Sequence, residues 1–572
     1  MTNESHAVAT WWGSRAGGSL RALQFRARRR RGENQGARST DARSGTLRPR
    51  SPTEPRRHGL MLALLLSAAA APVASAQDQP AHARGKELYD KWCAECHGDA
   101  GAGDGAAATH MLPRPRDFTG AVFQVRTTAS GELATDDDLR RIIDEGMPGT
   151  AMPGWSSRLN AADRDAVIAY LKTFSTFFEG AAPQPITLGR APRATREGIT
   201  EGRAGFEKLE CFKCHGQLGR GDGQSSPTLK DDWDQPIRAA DLSQSWNFNG
   251  GSTVEQIYAR LRTGLDGTPM PSFSDAIDAN VITDEQLWRV AQYVRSLSPE
   301  QQPRPQDVIR AAVVVQLPAG PDDSAWATLE PAYVPVVGQI VVRPRWFAPA
   351  VDAVWVQALH DGQTLALRLT WHDGSKSPDP AWDEWLGRMR DAMSDGDAPV
   401  ATEQGPDRLH LQFPARWSDG LERPYFLGGS TRQPVSLWRW SSVGDKLEEG
   451  TSTGLGRFTA AGAGNASHSA RYDRGEWALQ INRALVPADS TAAIPFMPGR
   501  AIPIAFFAAD GSNGEDEVRG AVSAWYAIYL DVPAPPRVYV APVVAVLLTA
   551  GLGLVVIRRA QQRGFNSVRG KE

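Results

Sequence analysis

Cysteine is nearly absent from this chain: 572 residues hold four, at positions 93, 96, 211 and 214. So few thiols exclude a disulfide framework as the source of stability. No sign of charge dominates either. Lysine and arginine number 63 against 65 acids, a net charge of −2 that gives no overall pull toward nucleic acid or an anionic surface. A Ser/His/Asp set, a phosphate loop and a zinc constellation are all missing, which leaves a hydrolase without support. The glycine-rich stretches lack the strand-to-helix context of a nucleotide site.

What is present is concentrated in two stretches, Cys93-Ala94-Glu95-Cys96-His97 and Cys211-Phe212-Lys213-Cys214-His215. Each is C-x-x-C-H, the attachment signature of c-type haem. Thiols at i and i+3 share one face of a helical turn, where they can form thioethers to both vinyl groups of one porphyrin. The adjacent histidine then reaches the iron. Both copies continue as G-x-x-G-x-G-D-G, with Gly98, Gly101, Gly103, Asp104 and Gly105 matching Gly216, Gly219, Gly221, Asp222 and Gly223. Further on, Gly146, Gly149, Thr150, Met152 and Pro153 match Gly264, Gly267, Thr268, Met270 and Pro271 at one offset of 118 residues. The repeat selects the second axial ligand. Met147 aligns with Leu265, whereas Met152 aligns with Met270, each 59 residues after the first cysteine of its copy. The expected iron ligand pairs are His97/Met152 and His215/Met270.

The length suits three or four domains, and hydrophobic content of 41% with 22% charge fits globular modules. The first 57 residues carry 13 arginines and four acids, followed by the apolar run from Gly59 to Ala71 and the small residues Ala74, Ser75 and Ala76. That order reads as a basic leader and signal peptide over 1–76, not as a nucleic-acid arm, with a mature start near Gln77. Export agrees with haem c, which bacteria attach outside the cytoplasmic membrane. At the other end, residues 538–557 form 20 uncharged positions, long enough for a transmembrane helix. Arg558, Arg559, Arg563, Arg569 and Lys571 follow, so the tail 558–572 is expected in the cytoplasm and the body in the periplasm.

Between these ends, the first haem helix is expected over 83–97, a second helix over 136–145, and a closing helix carrying Val167, Tyr170, Leu171 and Phe174 on one face. The second copy closes with Leu287, Val290, Ala291 and Val294. Both copies resemble class I cytochrome c domains, placed at 77–180 and 194–300 with a Pro/Ala/Gln linker between. The resemblance implies two small all-α domains, each with a covalent haem c and His and Met ligands, that carry single electrons.

From residue 305 to 532 short apolar or alternating runs, such as 311–317, 354–359, 365–371 and 408–413, suggest an all-β sandwich. This stretch resembles the haem-binding domain of the ethylbenzene dehydrogenase gamma subunit family in Pro331 to Val336, Ala358 to Gln363, Leu367 to Asp373, Pro424 to Gly429, Val435 to Trp440 and Ala509 to Glu515. The resemblance implies a non-covalent haem b held by Met and Lys and electron transfer for a molybdenum-containing catalytic subunit. The chain departs from that pattern at Leu427-Gly428-Gly429, where the family has a methionine before the glycine. The other methionines of the domain are Met389, Met393 and Met497, and His360, His372, His410 and Lys446 are further candidates, none assigned to iron.

His/Met ligation fills both axial positions and suits outer-sphere transfer. The main expectation is therefore a membrane-anchored periplasmic dihaem cytochrome relaying electrons between a periplasmic redox partner and the respiratory chain, with an additional haem b in the sandwich left open. Two alternatives stand beside it: a dihaem peroxidase-like oxidoreductase, and a haem-free sandwich that docks a partner or ligand through its tryptophans.

Overall fold

The structure, a computed structural model, describes residues 78–393, 399–417, 422–461, 464, 466–487, 493–532 and 537–569. The leader, the signal peptide and the Pro533–Pro536 break lie outside the described residues.

The two cytochrome regions are built from helices whose ends the sequence marks clearly. In the first, helices span Asp78–Trp92, Ala94–His97, Asp136–Glu145 and Ala161–Lys172. In the second they span Arg196–Lys208, Phe212–His215, Val254–Thr263, Ser274–Asp278 and Asp284–Ser296. The expected haem helix of 83–97 is thus two helices. It starts earlier, and the chain turns at Cys93 before the Cys-x-x-Cys-His turn. Thr135 opens one helix with a capping box to Asp138, and Thr253, 118 residues later, does the same with Gln256. Such a cap supplies about 1 kcal/mol at each site.

In each copy the N-terminal and closing helices cross closely, and a glycine makes this possible. A Cβ at Gly85 would lie 2.1 Å from the Ala166 carbonyl oxygen, and one at Gly202 would lie 2.0 Å from that of Arg289. Tyr89 and Tyr170 pack edge-on beside the first crossing and Phe206 and Tyr293 beside the second, both at 5.5 Å between ring centres. Tyr89 also donates its hydroxyl to the Gly98 carbonyl at 2.7 Å, tying the helix to the turn behind His97.

The remainder is a two-layered β domain. Its strands are β1 Val308–Val313, β2 Ala332–Pro335, β3 Val337–Gly338, β4 Ala353–His360, β5 Thr364–His372, β6 Arg408–Pro414 and β7 Val435–Ser441. Then follow β8 Lys446–Ser452, β9 Phe458–Ala460, β10 Ala466–Asp473, β11 Glu476–Ala484, β12 Ala501–Ala509, β13 Ala521–Val522 and β14 Tyr526–Leu530. The order is β10-β11-β5-β4-β1-β14-β12-β6-β7-β8-β9. β12 joins the layers: Ala501 to Ile504 pair with β14, and Ala505 to Ala509 pair with β6. Alternating side chains from both layers, among them Leu367, Leu369, Trp371, Leu411, Phe413, Trp438, Trp440, Leu479 and Phe506, close one apolar core.

Three details differ from the sequence expectation. The first strand is 308–313 and not 311–317, because the chain leaves the sheet at Val315, which is fully exposed. β1 pairs in parallel with both β14 and β4, a long-range arrangement that alternation cannot reveal. The domain is also not purely β: a helix at Asp383–Ala392 packs Trp385, Leu386 and Met389 against Trp346 and Trp382 in a satellite core.

A final helix, Arg537–Arg569, is exposed where described, and its 26-residue stretch from Arg537 to Gln562 is long and apolar enough to cross a membrane.

Candidate haem sites

At both motifs the chain makes the same tight turn. His97 N and His215 N donate to the carbonyls of Cys93 and Cys211 at 2.9 and 3.0 Å, putting both cysteines of each copy on one short helical turn. The glycine loop then folds back on it. Gly105 and Gly223 come so near this turn that a Cβ would lie 2.3 Å from the Glu95 carbonyl oxygen and 2.2 Å from that of Lys213.

The imidazoles are oriented from behind. His97 Nδ1 lies 3.0 Å from the Arg116 carbonyl, and His215 Nδ1 lies 2.9 Å from the Ala240 carbonyl. A hydrogen bond there fixes the tautomer with the proton on Nδ1 and frees Nε2 for a metal. Burial lowers both imidazoles from the usual histidine value, which favours the neutral form that could bind a metal, and the carbonyl contacts only partly oppose it. Burial likewise pushes the Cys93 and Cys211 thiols up to about 12 and raises Cys96 and Cys214. None of the four forms a disulfide.

The methionine loops repeat atom for atom. Met147 N donates to Met152 O at 3.0 Å and Leu265 N to Met270 O at 3.1 Å. Met152 N and Met270 N each donate to the threonine hydroxyl two residues earlier, at 3.2 Å. Met270 and Cys211 pack against the same core cluster; in the first copy Cys93 packs on the core, and Met152 is half-buried in its loop. The residues fit two covalent haems: paired thiols on one turn, a neutral imidazole held from behind and a methionine loop in each copy. Trp155 Nε1 and Arg116 Nη1, buried donors with no protein acceptor, are further groups able to meet a haem carboxylate.

Comparison with known proteins bears on this arrangement. The family model described as cytochrome C oxidase, cbb3-type, subunit III, matches residues 80–171, and the cytochrome c model matches residues 199–298. Cytochrome c55X of Paracoccus denitrificans is 35% identical over 117 residues, 20% of this chain and 92% of that relative. The chain belongs to the cytochrome c family. Two more relatives extend the likeness. A Haloferax mediterranei protein provisionally described as a respiratory nitrate reductase heme subunit is 25% identical over 258 residues, 45% of this chain and 85% of its own. The dimethylsulfide dehydrogenase subunit gamma of Rhodovulum sulfidophilum is 24% identical over 215 residues, 36% of this chain and 71% of its own. This cytochrome is a multihaem electron-transfer protein.

Sequence reasoning missed the contacts that join the two haem regions of this cytochrome. Arg126, fully buried, donates to the Thr263 carbonyl at 3.0 Å and pairs with Asp266 at 2.6 Å, next to the second methionine loop. Ser130 Oγ and Gly131 N also donate to Asp266, at 2.9 and 2.7 Å. Arg116, whose carbonyl faces His97, stacks its guanidinium on Trp233 at 4.6 Å and lies against Gly267 of that same loop. The partner of His215 is at the next boundary. Asp241 follows Ala240 and contacts His372 Nδ1 of the β domain at 2.5 Å, while Arg220 pairs with Glu476 at 2.9 Å. Only the Asp241–His372 contact touches a residue that the sequence had marked as a candidate.

The haem b candidates do not assemble. His360 Nε2 contacts the Asp531 carbonyl at 2.9 Å, Lys446 is paired with Glu448 on the surface, Met389 and Met393 lie in the satellite core, and Met497 is exposed. Of these candidates His410 alone lines a small cavity, about 30 Å³, beside Leu427 and Gly428, with its ring stacked on Phe507. Burial and the nearby Arg439 and Arg408 hold it at about 3, so it is a neutral base. One histidine facing Leu427 does not make the Met and Lys pair of the ethylbenzene dehydrogenase pattern.

Proposed function

We propose that this cytochrome is a membrane-anchored periplasmic relay whose two c haems carry single electrons between a redox partner and the respiratory chain. The observation that supports it most is the placement of the two histidine-orienting carbonyls. Arg116 sits where the first haem region meets the methionine loop of the second, and Ala240 precedes the aspartate that meets the β domain. The histidine side of each haem would thus adjoin a boundary, the first haem's beside the second haem region and the second haem's beside the β domain. Bound haem would supply reversible one-electron chemistry, and His97 with Met152 and His215 with Met270 would hold the two irons.

The relatives carry the partner assignment. Both are named as subunits of reductase or dehydrogenase complexes, which favours a molybdenum-enzyme-type catalytic subunit as the redox partner. The β domain would dock it, as a gamma-like module whose haem b ligand is replaced by Leu427. The helix at Arg537–Arg569 would anchor the body with its basic end in the cytoplasm.

Carbon monoxide or peroxide added to the reduced protein tests the relay against the peroxidase-like alternative. An unchanged spectrum is expected of two saturated irons, and a shifted one would favour an enzyme with an open haem.

A further inference from the structure

The β domain holds a second polar centre, distinct from both haem sites, at the end that meets the second cytochrome region. Asp373 directly follows β5, Asp407 directly precedes β6, and Asp510 directly follows β12. β5 belongs to one layer, and β6 with the C-terminal half of β12 belongs to the other. The three side chains are 3%, 0% and 0% exposed, and each offers one carboxylate oxygen within 4.8 Å of the other two.

Hydrogen bonds satisfy only part of this cluster. Asp407 accepts from Ser377 N at 2.8 Å, Trp477 Nε1 at 3.1 Å and Gly511 N at 3.1 Å. Asp510 Oδ1 accepts from Ser512 N at 2.8 Å and Ser512 Oγ at 2.7 Å, and Asp373 Oδ1 accepts from Ser375 N at 3.1 Å. Asp373 Oδ2 is buried with no hydrogen-bond donor among the described residues. A dry carboxylate oxygen without a donor is costly and rare, and it signals a group not yet counted.

Charge points the same way. The cation in contact is Arg238, 3.4 Å from Asp510 Oδ2 and partly stacked on Trp382 and Trp385. Lys376 is exposed, over the Trp477 ring. Glu515 is buried beside Asp510, but its oxygens are taken by Trp346 Nε1, Ala350 N, Asn513 Nδ2 and Asp510 N. Three acidic side chains thus meet one guanidinium in a buried place at the junction of the two layers.

We propose that Asp373, Asp407 and Asp510 bind one divalent cation, Ca²⁺, which clamps the two layers of the β domain where it meets the second haem region. The donors are all hard oxygens, with the Ser377 and Ser375 hydroxyls adjoining, and no cysteine or histidine is in the set, which excludes the sites favoured by zinc or copper. A crowded, irregular, protein-lined oxygen set suits Ca²⁺, whereas Mg²⁺ demands octahedral geometry and keeps its waters. The ion is structural and takes no part in electron transfer.

The test uses the full chain, purified in detergent with its haems. It is dialysed against about 1 mM CaCl₂, then passed into metal-free buffer, and its calcium is counted by mass spectrometry. Near-stoichiometric Ca²⁺ in the wild type, absent from Asp373→Asn and kept by the surface variant Asp361→Asn, is expected. Calcium at 100 times its Kd should also favour the folded state about 100-fold, so the unfolding midpoint should rise with Ca²⁺ and fall with EDTA. A wild type that retains no Ca²⁺ and unfolds identically with Ca²⁺ or EDTA overturns the proposal, whatever the variants do. The same count in wild type and Asp373→Asn also overturns it.

Discussion

Replacing Asp266 by alanine should loosen the joint between the two haem regions and disturb the second haem before the first. Asp266 accepts from Arg126 at 2.6 Å, Ser130 Oγ at 2.9 Å and Gly131 N at 2.7 Å, and Arg126 is fully buried. Removing one partner of a buried ion pair costs about 3–5 kcal/mol. Two features reduce that here. Asp266 is itself 19% exposed in its side chain, and Arg126 keeps the Phe123, Ala129 and Thr263 carbonyls at 3.0 to 3.2 Å. A loss of about 3 kcal/mol is the working figure, and at roughly 2–4 °C per kcal/mol for a unit of this size the haem regions should melt roughly 6–12 °C lower. Asp266→Asn keeps one acceptor oxygen, enough for Gly131 N, while the Ser130 hydroxyl can turn to accept from the amide, so it should lose less; Asp137→Ala, an exposed helix acid, should change almost nothing. The assay is thermal unfolding followed at the haem absorption, with the methionine–iron charge-transfer band read at low temperature. That band should weaken for the haem of Met270 and persist for that of Met152. An Asp266→Ala protein that melts with the wild type would refute the reasoning.

Other predictions rest on single contacts. Gly202→Ala places a Cβ 2.0 Å from the Arg289 carbonyl oxygen and should cost about 1–3 kcal/mol, seen as a lower yield of haem-loaded protein and a lower melting point. Tyr89→Phe removes a buried 2.7 Å hydrogen bond to Gly98 and should cost about 1 kcal/mol in thermal melts of the first haem region. Met152→Ala and Met270→Ala should each lower the potential of one haem in a redox titration and let carbon monoxide bind that haem alone. Asp241→Ala should weaken the contact between the second haem region and the β domain, read as faster proteolysis of the segment around 300–305 while both haems remain.

The candidate haem sites stand out in the sequence because their chemistry is local. Two thiols, a histidine and a methionine recur at one offset, and short spacings decide which side chains share a turn. The capping residues Thr135 and Thr253 belong to the same local code. The break at Cys93 was hidden, because an apolar pattern runs through it and only the geometry of the turn stops the helix. The joints were not legible for a different reason. Arg126 and Asp266 are 140 positions apart, and Asp373, Asp407 and Asp510 come from three strands in two layers, so nothing in the local sequence links them. The same holds for β1, which lies between β14 and β4, and for β12, which serves both layers. His372 was visible as a histidine near a strand end, but its partner Asp241 lies in another domain.

The central claim is tested most directly by counting haems. A pyridine haemochrome spectrum of the purified full chain, made together with the haem c maturation machinery, gives the total, and acid–acetone extraction separates covalent from non-covalent haem. Two haem c per chain that stay with the protein, lost one at a time when Cys93 with Cys96 or Cys211 with Cys214 is replaced by alanine, is the predicted result. Fewer than two covalent haems in the wild type would contradict the account at its root.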